Sequence, residues 1–470
     1  MTWKESEAKH SAECVPSSVN IVAHEMEKIP DGDNVNSQEI DSMDKQDPFG
    51  DESDAAMKYK TMAWWQAGMI MIAETISLGI LALPKALSIL GLLPGVLVII
   101  IVGILTSYTG FTIGQLKRRY VQIHTMADAG EILFGGIGRT TLGTAQLTFF
   151  VFVMGSHILT FSIMMNVLTD HSACTMAFSF SGLIISLVLT LPRRLENLSQ
   201  LSSVSFVSII GAVFTSMVGV SLANQAPKHV PLFSPAPTVH DACLAVANIV
   251  FAYAGHVAFF TLFSELRDIN DYPKALAFLQ ASEMVLYTVT SIVIYAFVGP
   301  TITSPALNSA GRLFRKISYA IAIPTIVIAG VVNAHVAVKF LYVRIFRGTN
   351  AMHTTSFMAR STWAIVCAAL WVLSWMIAES IPVFNDILGF ASSLFASWFS
   401  FGLPGIFWLH MNKHYWFHGW KQKILFGLNV GIVVIGLVTC VFGFYSSIKS
   451  IHENLVDGVS GGSFSCADNS

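Results

Sequence analysis

Glu74, Thr75 and Ser77 stand inside an otherwise apolar run, Ala73-Glu-Thr-Ile-Ser-Leu-Gly-Ile-Leu-Ala-Leu-Pro84, which also contains Gly79 and Pro84. An acid and two hydroxyls in such surroundings are costly unless they hold something, so they are candidates for binding a cation or a polar solute. A second interruption, Phe251-Ala-Tyr-Ala-Gly-His256, lies in another apolar run. Its imidazole belongs to the one side chain that ordinarily titrates near neutral pH, which makes His256 a proton-coupling candidate beside Glu74. Where a helix breaks at membrane depth, the free N–H groups of one half can receive a carboxylate and the free carbonyls of the other an ammonium. An α-amino acid carries both groups. Ile76, Leu78, Phe251 and Tyr253 would surround its side chain with apolar and aromatic surface, which favours neutral amino acids over charged ones.

The elements that position these residues are transmembrane helices. The chain has 470 residues, 53% hydrophobic and 12% charged, against about 25% charged in soluble proteins. With about 20 apolar residues needed per crossing, the sequence predicts an all-α polytopic membrane protein with about eleven spans. They lie near Ala63 to Leu90, Leu92 to Leu116, Leu142 to Leu168, Met176 to Leu191, Leu201 to Ala223, Ala242 to Phe263, Leu276 to Val298, Ile317 to Val343, Thr362 to Ala378, Val383 to His410 and Ile424 to Tyr445. The first and sixth lead two successive groups of five. Because five is odd, the second group enters from the opposite side, giving a 5+5 inverted repeat plus one extra helix. Both leading helices are expected to be broken, since paired Gly/Pro interruptions in matching places mark a transporter's midplane site.

Charge divides the chain further. Residues 1–60 hold 14 of the 29 acidic residues and six of the 27 basic ones; so polar an acidic head reads as a disordered cytoplasmic tail. The transmembrane domain is expected over 61–446 and a short extracellular tail over 447–470. With the N-terminus inside, 17 Lys and Arg near span ends face the cytoplasm and six face outside, as the positive-inside rule requires. The loop holding Arg312, Arg315 and Lys316 is the exception and suggests a re-entrant segment. Cys174 and Cys243 both fall in outer loops, where a disulfide between them is conceivable. Glu379 and Asp386 are expected to be solvated at the outer edge, and Glu283 to pair with a lysine or reach headgroups.

Phosphate-loop, H-E-x-x-H and clustered Cys/His patterns are not found, so neither an enzyme nor an ATP-driven pump is expected, and no cofactor or metal. A repeated filter loop or single-sign ring, which a channel would use, is likewise not found. An amino-acid sensor with little or no flux is the alternative to a transporter.

Gly79-Ile-Leu-Ala-Leu-Pro84 together with Phe251-Ala-Tyr-Ala-Gly-His256, then Glu265, Pro273-Lys-Ala275 and Pro305-Ala-Leu307, resembles the amino acid/auxin permease family, from about Ala63 to Tyr445. The resemblance implies the eleven-span inverted-repeat fold of the amino acid–polyamine–organocation type. It also implies secondary active uptake, commonly proton-coupled in fungi and plants, and so proton symport by alternating access at the plasma membrane. By position it offers Thr75, Ile76, Ser77, Leu78 and Gly79, and Phe251, Tyr253, Ala254, Gly255 and His256, as substrate-lining residues. Ser77 stands where the family more often has glycine.

Overall fold

The structure is a computed structural model that describes residues 60–193, 195–224, 230–234, 237–346, 357–458 and 462–469. The acidic head falls outside these except for Lys60. The described residues form helices and short turns. In chain order they are α1 (Trp64–Leu90), α2 (Leu92–Arg119), α3 (Met126–Thr169), α4 (Thr175–Thr190), α5 (Leu195–Asn224), α6 (Val239–Ala252), α7 (His256–Ser264), α8 (Tyr272–Val298), α9 (Arg312–Phe346), α10 (Phe357–Ser380), α11 (Phe384–Ala391), α12 (Leu403–Met411) and α13 (Gly419–Val456). α6 and α7 together make the sixth span. α11 and α12 make the tenth, joined by two π-helical turns, Ser392–Ala396 and Trp398–Gly402.

Ten of these segments are long and apolar enough to cross a membrane; α4, with 16 residues, is shorter. Its ends nevertheless lie at opposite ends of α9. Just before α4, Asp170 accepts from Lys316 at 2.7 Å; just after it, Arg193 donates to the Tyr342 hydroxyl at 2.7 Å. At about 1.5 Å per residue those two points on α9 are about 39 Å apart, so the chain traverses the bundle here too, and the eleven expected passages are present. α3 merges two helices across Gly135, whose φ of 62° suits glycine.

α1 is the most enclosed helix, packed against α5, α6, α8 and α9, while α13 packs only along one side, on α6, α11 and α12. Large apolar side chains on the outer faces of α4, α5, α8 and α13, such as Val188, Val207, Val285 and Val441, are exposed. That surface matches a bilayer rather than water.

Several expectations change. α1 is a continuous helix from Trp64 to Leu90 with Pro84 inside it, so the break expected there is not in the backbone. Its hydroxyls and glycine act in other ways: Thr75 Oγ1 bonds back to Met71 O at 3.0 Å, and Gly79 allows close approach of a neighbouring backbone. Cys174 pairs with Cys466, and Cys243 is a free thiol. The reason lies in the C-terminal segment, which folds back instead of trailing away: Phe464 N–H donates to Glu379 O (3.0 Å) and Thr175 Oγ1 to Ala467 O (2.6 Å). α13 likewise continues past the expected end at Tyr445, because Ser450 and Asn454 on its last turns both bond to Asp386 at 2.7 Å. Asp386 and Glu379 are therefore buried, the latter bonded to Ser179. The connection before α9 forms two 3-10 turns, Gly299–Thr301 and Ala306–Ser309, that tuck Ile302 and Leu307 into the core. Arg312 and Lys316, its excess positive charge, both reach Asp170. The hydrogen bond from Lys316 first, and then that from Arg312 with the two positive charges, hold the Asp170 carboxyl below its ordinary pKa.

Candidate functional site

The sixth span breaks where its sequence says it should. α6 ends at Ala252, Tyr253 leaves helical geometry, and α7 begins at His256 with Gly255 as an N-cap that supplies no side-chain bond. The last α6 carbonyls and the first α7 N–H groups thus lack their regular helical partners at the centre of the bundle. Val250 O and Phe251 O instead accept short turn bonds from Tyr253 N–H (3.2 Å) and Ala254 N–H (3.0 Å), and the carbonyl of Ala252 is taken by a side chain outside both motifs. The Tyr287 hydroxyl of α8 lies 2.7 Å from Ala252 O, to which it donates, and 3.3 Å from Thr75 O. It ties the break to α1.

The two motifs touch directly. A Cβ added to Gly255 would lie 2.5 Å from Thr75 Cγ2, and one added to Gly79 would lie 2.5 Å from the Cα of Ala252. Both glycines are needed for space, since neither has a positive φ. Thr75, Gly79, Tyr253 and Gly255 are therefore brought into one place. Leu78, Phe251 and Ala254 are buried around it, and the Ser77 hydroxyl is buried with no hydrogen-bond partner.

Two of the expected residues face elsewhere. Ile76 lines an apolar groove between α1, α5 and α8 together with Ile80, Ile209, Val213 and Leu286, with about 510 Å³ of empty volume. His256 turns its Nε2 toward α2, 3.0 Å from both Thr109 Oγ1 and Thr106 O. Thr106 and Ser107 in turn donate to Gln280 Oε1 on α8, at 3.1 and 3.2 Å.

Glu74 of α1 lies within electrostatic reach of Glu283 of α8, as do Tyr253 and Tyr287. The expected lysine or headgroup partner for Glu283 is replaced by complete burial. Gln280, Glu283, Tyr287, Ser291 and Tyr295 recur at helical spacing along the buried face of α8. That polar stripe was visible in the sequence and is the signal that could have found Glu283 and Tyr287. His157 and His335 behave as packed core groups. The first has Nδ1 2.9 Å from Ile326 O and the second has its ring 5.6 Å from Trp363.

At the far end of α7 the arrangement is one of closure. Glu265 forms a buried ion pair with Lys339 of α9. Met62, just before α1, donates to Glu265 O (3.1 Å) and accepts from Arg267 N–H (2.8 Å).

Residues 60–449 match the family model described as transmembrane amino acid transporter protein. The chain belongs to that family. Within the transmembrane amino acid transporters, it is 33% identical to the "N amino acid transport system protein" of Neurospora crassa, over 90% of this chain and 92% of that one. It is 25% identical to the "Amino acid transporter AVT1H" of Arabidopsis thaliana, over 82% and 89% respectively. Among solved structures it is similar to MhsT in complex with L-phenylalanine, with a TM-score of 0.55 at 14% identity, covering 83% of this chain and all of that one. It is also similar to the nucleobase-cation-symport transporter Mhp1, with a TM-score of 0.50 at 15% identity. These likenesses show the fold, that of LeuT-type transporters. This transmembrane amino acid transporter is thus a multi-pass membrane protein and not an enzyme.

Proposed function

We propose that the chain takes up neutral aliphatic and aromatic amino acids across the plasma membrane by proton symport with alternating access. The observation that carries this reading is the break at Tyr253–Gly255 pressed against Thr75 and Gly79. The first turn of α7 offers N–H groups and a positive dipole end to the substrate carboxylate. The last carbonyls of α6, each already accepting one bond, have a second lone pair to offer its ammonium. Leu78, Phe251, Tyr253 and Ala254 give the side chain an apolar surround, and an uncharged side chain needs no counter-charge there. The name of the Neurospora relative fits an amino-acid substrate, and the L-phenylalanine bound to MhsT is a neutral aromatic one.

Direct contact between the two motifs describes a state with the site shut, and the substrate would enter as α1 and α6–α7 move away from α3, α9 and α10. Thr75, Ser77, Gly79, Tyr253 and Gly255 would contact substrate, and Glu74 would take part in coupling. His256, bonded to α2, would hold the start of α7 in place rather than contact the substrate side chain. The N-terminus is assigned to the cytoplasm by the excess of Lys and Arg on that side. The Cys174–Cys466 disulfide supports the same sidedness, because it joins the α3–α4 loop and the C-terminal segment on the face assigned to the oxidising exterior.

Uptake of labelled neutral, acidic and basic amino acids into proteoliposomes, with proton and sodium gradients imposed in turn, tests the reading. Accumulation of neutral amino acids driven by the proton gradient is expected. Absence of any gradient-driven accumulation overturns it, and binding without flux would make the protein a sensor.

A further inference from the structure

The buried face of α8 holds a carboxylate for which neither the fold nor the substrate site accounts. Glu283 is 0% exposed; among the described residues neither of its carboxyl oxygens makes a hydrogen bond of regular geometry, and the one hydroxyl within hydrogen-bonding reach, that of Thr75, is donated to Met71 O. A charge left so at membrane depth is among the most costly arrangements a protein can hold. Its neighbour across the α1–α8 interface is a second acid, Glu74, 7% exposed, with Oε2 also lacking a partner. Two anions within electrostatic reach of each other in a dry interior repel, and a proton on either one removes the repulsion.

α1 also brings the Thr75 hydroxyl within reach of Glu283, although that hydroxyl donates to Met71 O. From the α6–α7 break comes Tyr253, 1% exposed, whose hydroxyl has no partner and stands within electrostatic reach of Glu283. α8 itself adds Tyr287, whose hydroxyl is already donated to Ala252 O. α2 presents Gly103, Thr106 and Ser107 toward α8. α5 presents the apolar side chains of Ile209, Val213 and Met217. His256 is the nearest imidazole on α7, and its Nε2 is bound to α2. No lysine or arginine faces the pair among the described residues.

We propose that Glu283 and Glu74 together hold the single proton that moves with each substrate, Glu283 being the acceptor on α8. This rests on the symport reading above and gives it a second carboxylate. A proton suits the pair because binding one leaves the site with one negative charge instead of two. The proton enters from the outer side, bonds to one carboxylate while the other lowers its energy by charge attraction, and leaves to the inner solution as α1 moves. Gln280 Nε2, Ser291 Oγ and Tyr295 OH, all buried on the same face without partners, continue the polar file above and below it. Because α1 carries both Glu74 and the substrate-facing Thr75, loading the proton and loading the substrate bias the same helix, and each must raise the other's affinity equally.

The test uses the full chain in proteoliposomes at zero membrane potential with labelled substrate and a pH-sensitive dye. One proton per substrate permits about tenfold accumulation per unit of imposed pH difference. Glu283→Gln is expected to reduce that to no accumulation and to abolish substrate-dependent proton uptake, while equal-pH exchange of substrate persists. Retained accumulation and proton uptake in Glu283→Gln overturns the proposal and leaves symport standing. Wild-type protein that accumulates substrate without proton uptake overturns the symport reading and the proposal with it. In case Glu283→Gln fails to assemble, dicyclohexylcarbodiimide, which attacks protonated carboxyls in apolar surroundings, is applied to the wild type and mapped by mass spectrometry. Labelling at Glu283 or Glu74 that falls several-fold on alkalinisation is expected; labelling at neither residue at any pH between 5 and 9 overturns the proposal.

Discussion

Two buried acids on neighbouring helices of this transporter have opposite fates. Glu265, at the end of α7, is paired with Lys339 and has its own carbonyl bonded to Met62. Glu283, on α8, is at least as deeply enclosed and has no cation beside it. The paired acid has its desolvation offset by the lysine, and it pins α7 to α9 and to the chain entering α1. The unpaired acid remains costly in every state that leaves it charged and alone, so it acquires a partner only when the transporter binds one. Burial by itself says little; the presence or absence of a counter-charge separates a brace from a working group.

Gly255→Val should have the largest effect at the midplane. It drives a side chain into Thr75 and is expected to abolish uptake while the protein remains inserted, as checked by transport and surface labelling. The milder Gly255→Ala should cut uptake strongly, and adding Thr75→Ser, which removes the methyl it meets, should restore part of it. If Gly255→Val keeps wild-type flux, the break is only packing.

Lys339→Met attacks the brace instead. Leaving Glu265 buried without its cation should cost about 3–5 kcal/mol, read as a lower Tm in detergent, and the double substitution Lys339→Met/Glu265→Met should recover most of it. A single variant of unchanged Tm would mean that the pair does not brace the bundle.

Tyr287→Phe touches both regions weakly. It removes the donor to Ala252 O, and one buried carbonyl left unpaired is worth about 1–2 kcal/mol. A modest fall in Tm together with a raised substrate KM is expected. A changed KM with unchanged Tm would place the tyrosine on the substrate rather than on the backbone.

The smallest effect belongs to the exposed Asp170. Its carboxyl is held below the ordinary value by Lys316 and Arg312, so any stabilisation is present above the unfolded carboxylate range and is lost as pH falls through the lowered folded value. Asp170→Asn should therefore lower Tm slightly at pH 7, by less than Tyr287→Phe, and the difference should shrink as pH falls through the lowered folded value. A larger shift than that of Lys339→Met would invert the ranking of exposed and buried pairs.

The two leading spans show how far the sequence could be read. Tyr253-Ala-Gly255 breaks its helix as the residues suggest, but Ser77-Leu-Gly79 does not, though both look alike as strings. Glycine and hydroxyl residues permit either unwinding or close packing. At Gly79 the backbone of Ala252 occupies the space, and Thr75 Oγ1 bonds within the helix. At Tyr253 a hydroxyl from another helix satisfies the carbonyl the break exposes. That donor lies 35 residues further on, and nothing near the motif announces it.

The sequence by itself determined the number of passages, their approximate limits and the two interrupted stretches, because a crossing is set by local length and apolarity and a glycine's freedom is its own. Helical spacing also determined which face of α8 is polar. Only the tertiary structure decided that this face meets Glu74, that Lys339 answers Glu265 and not Glu283, that Cys174 takes Cys466, and that His256 turns to α2. Each of those depends on which helix lies against which and at what rotation, and a period of 3.6 residues gives a face its composition without naming its neighbour.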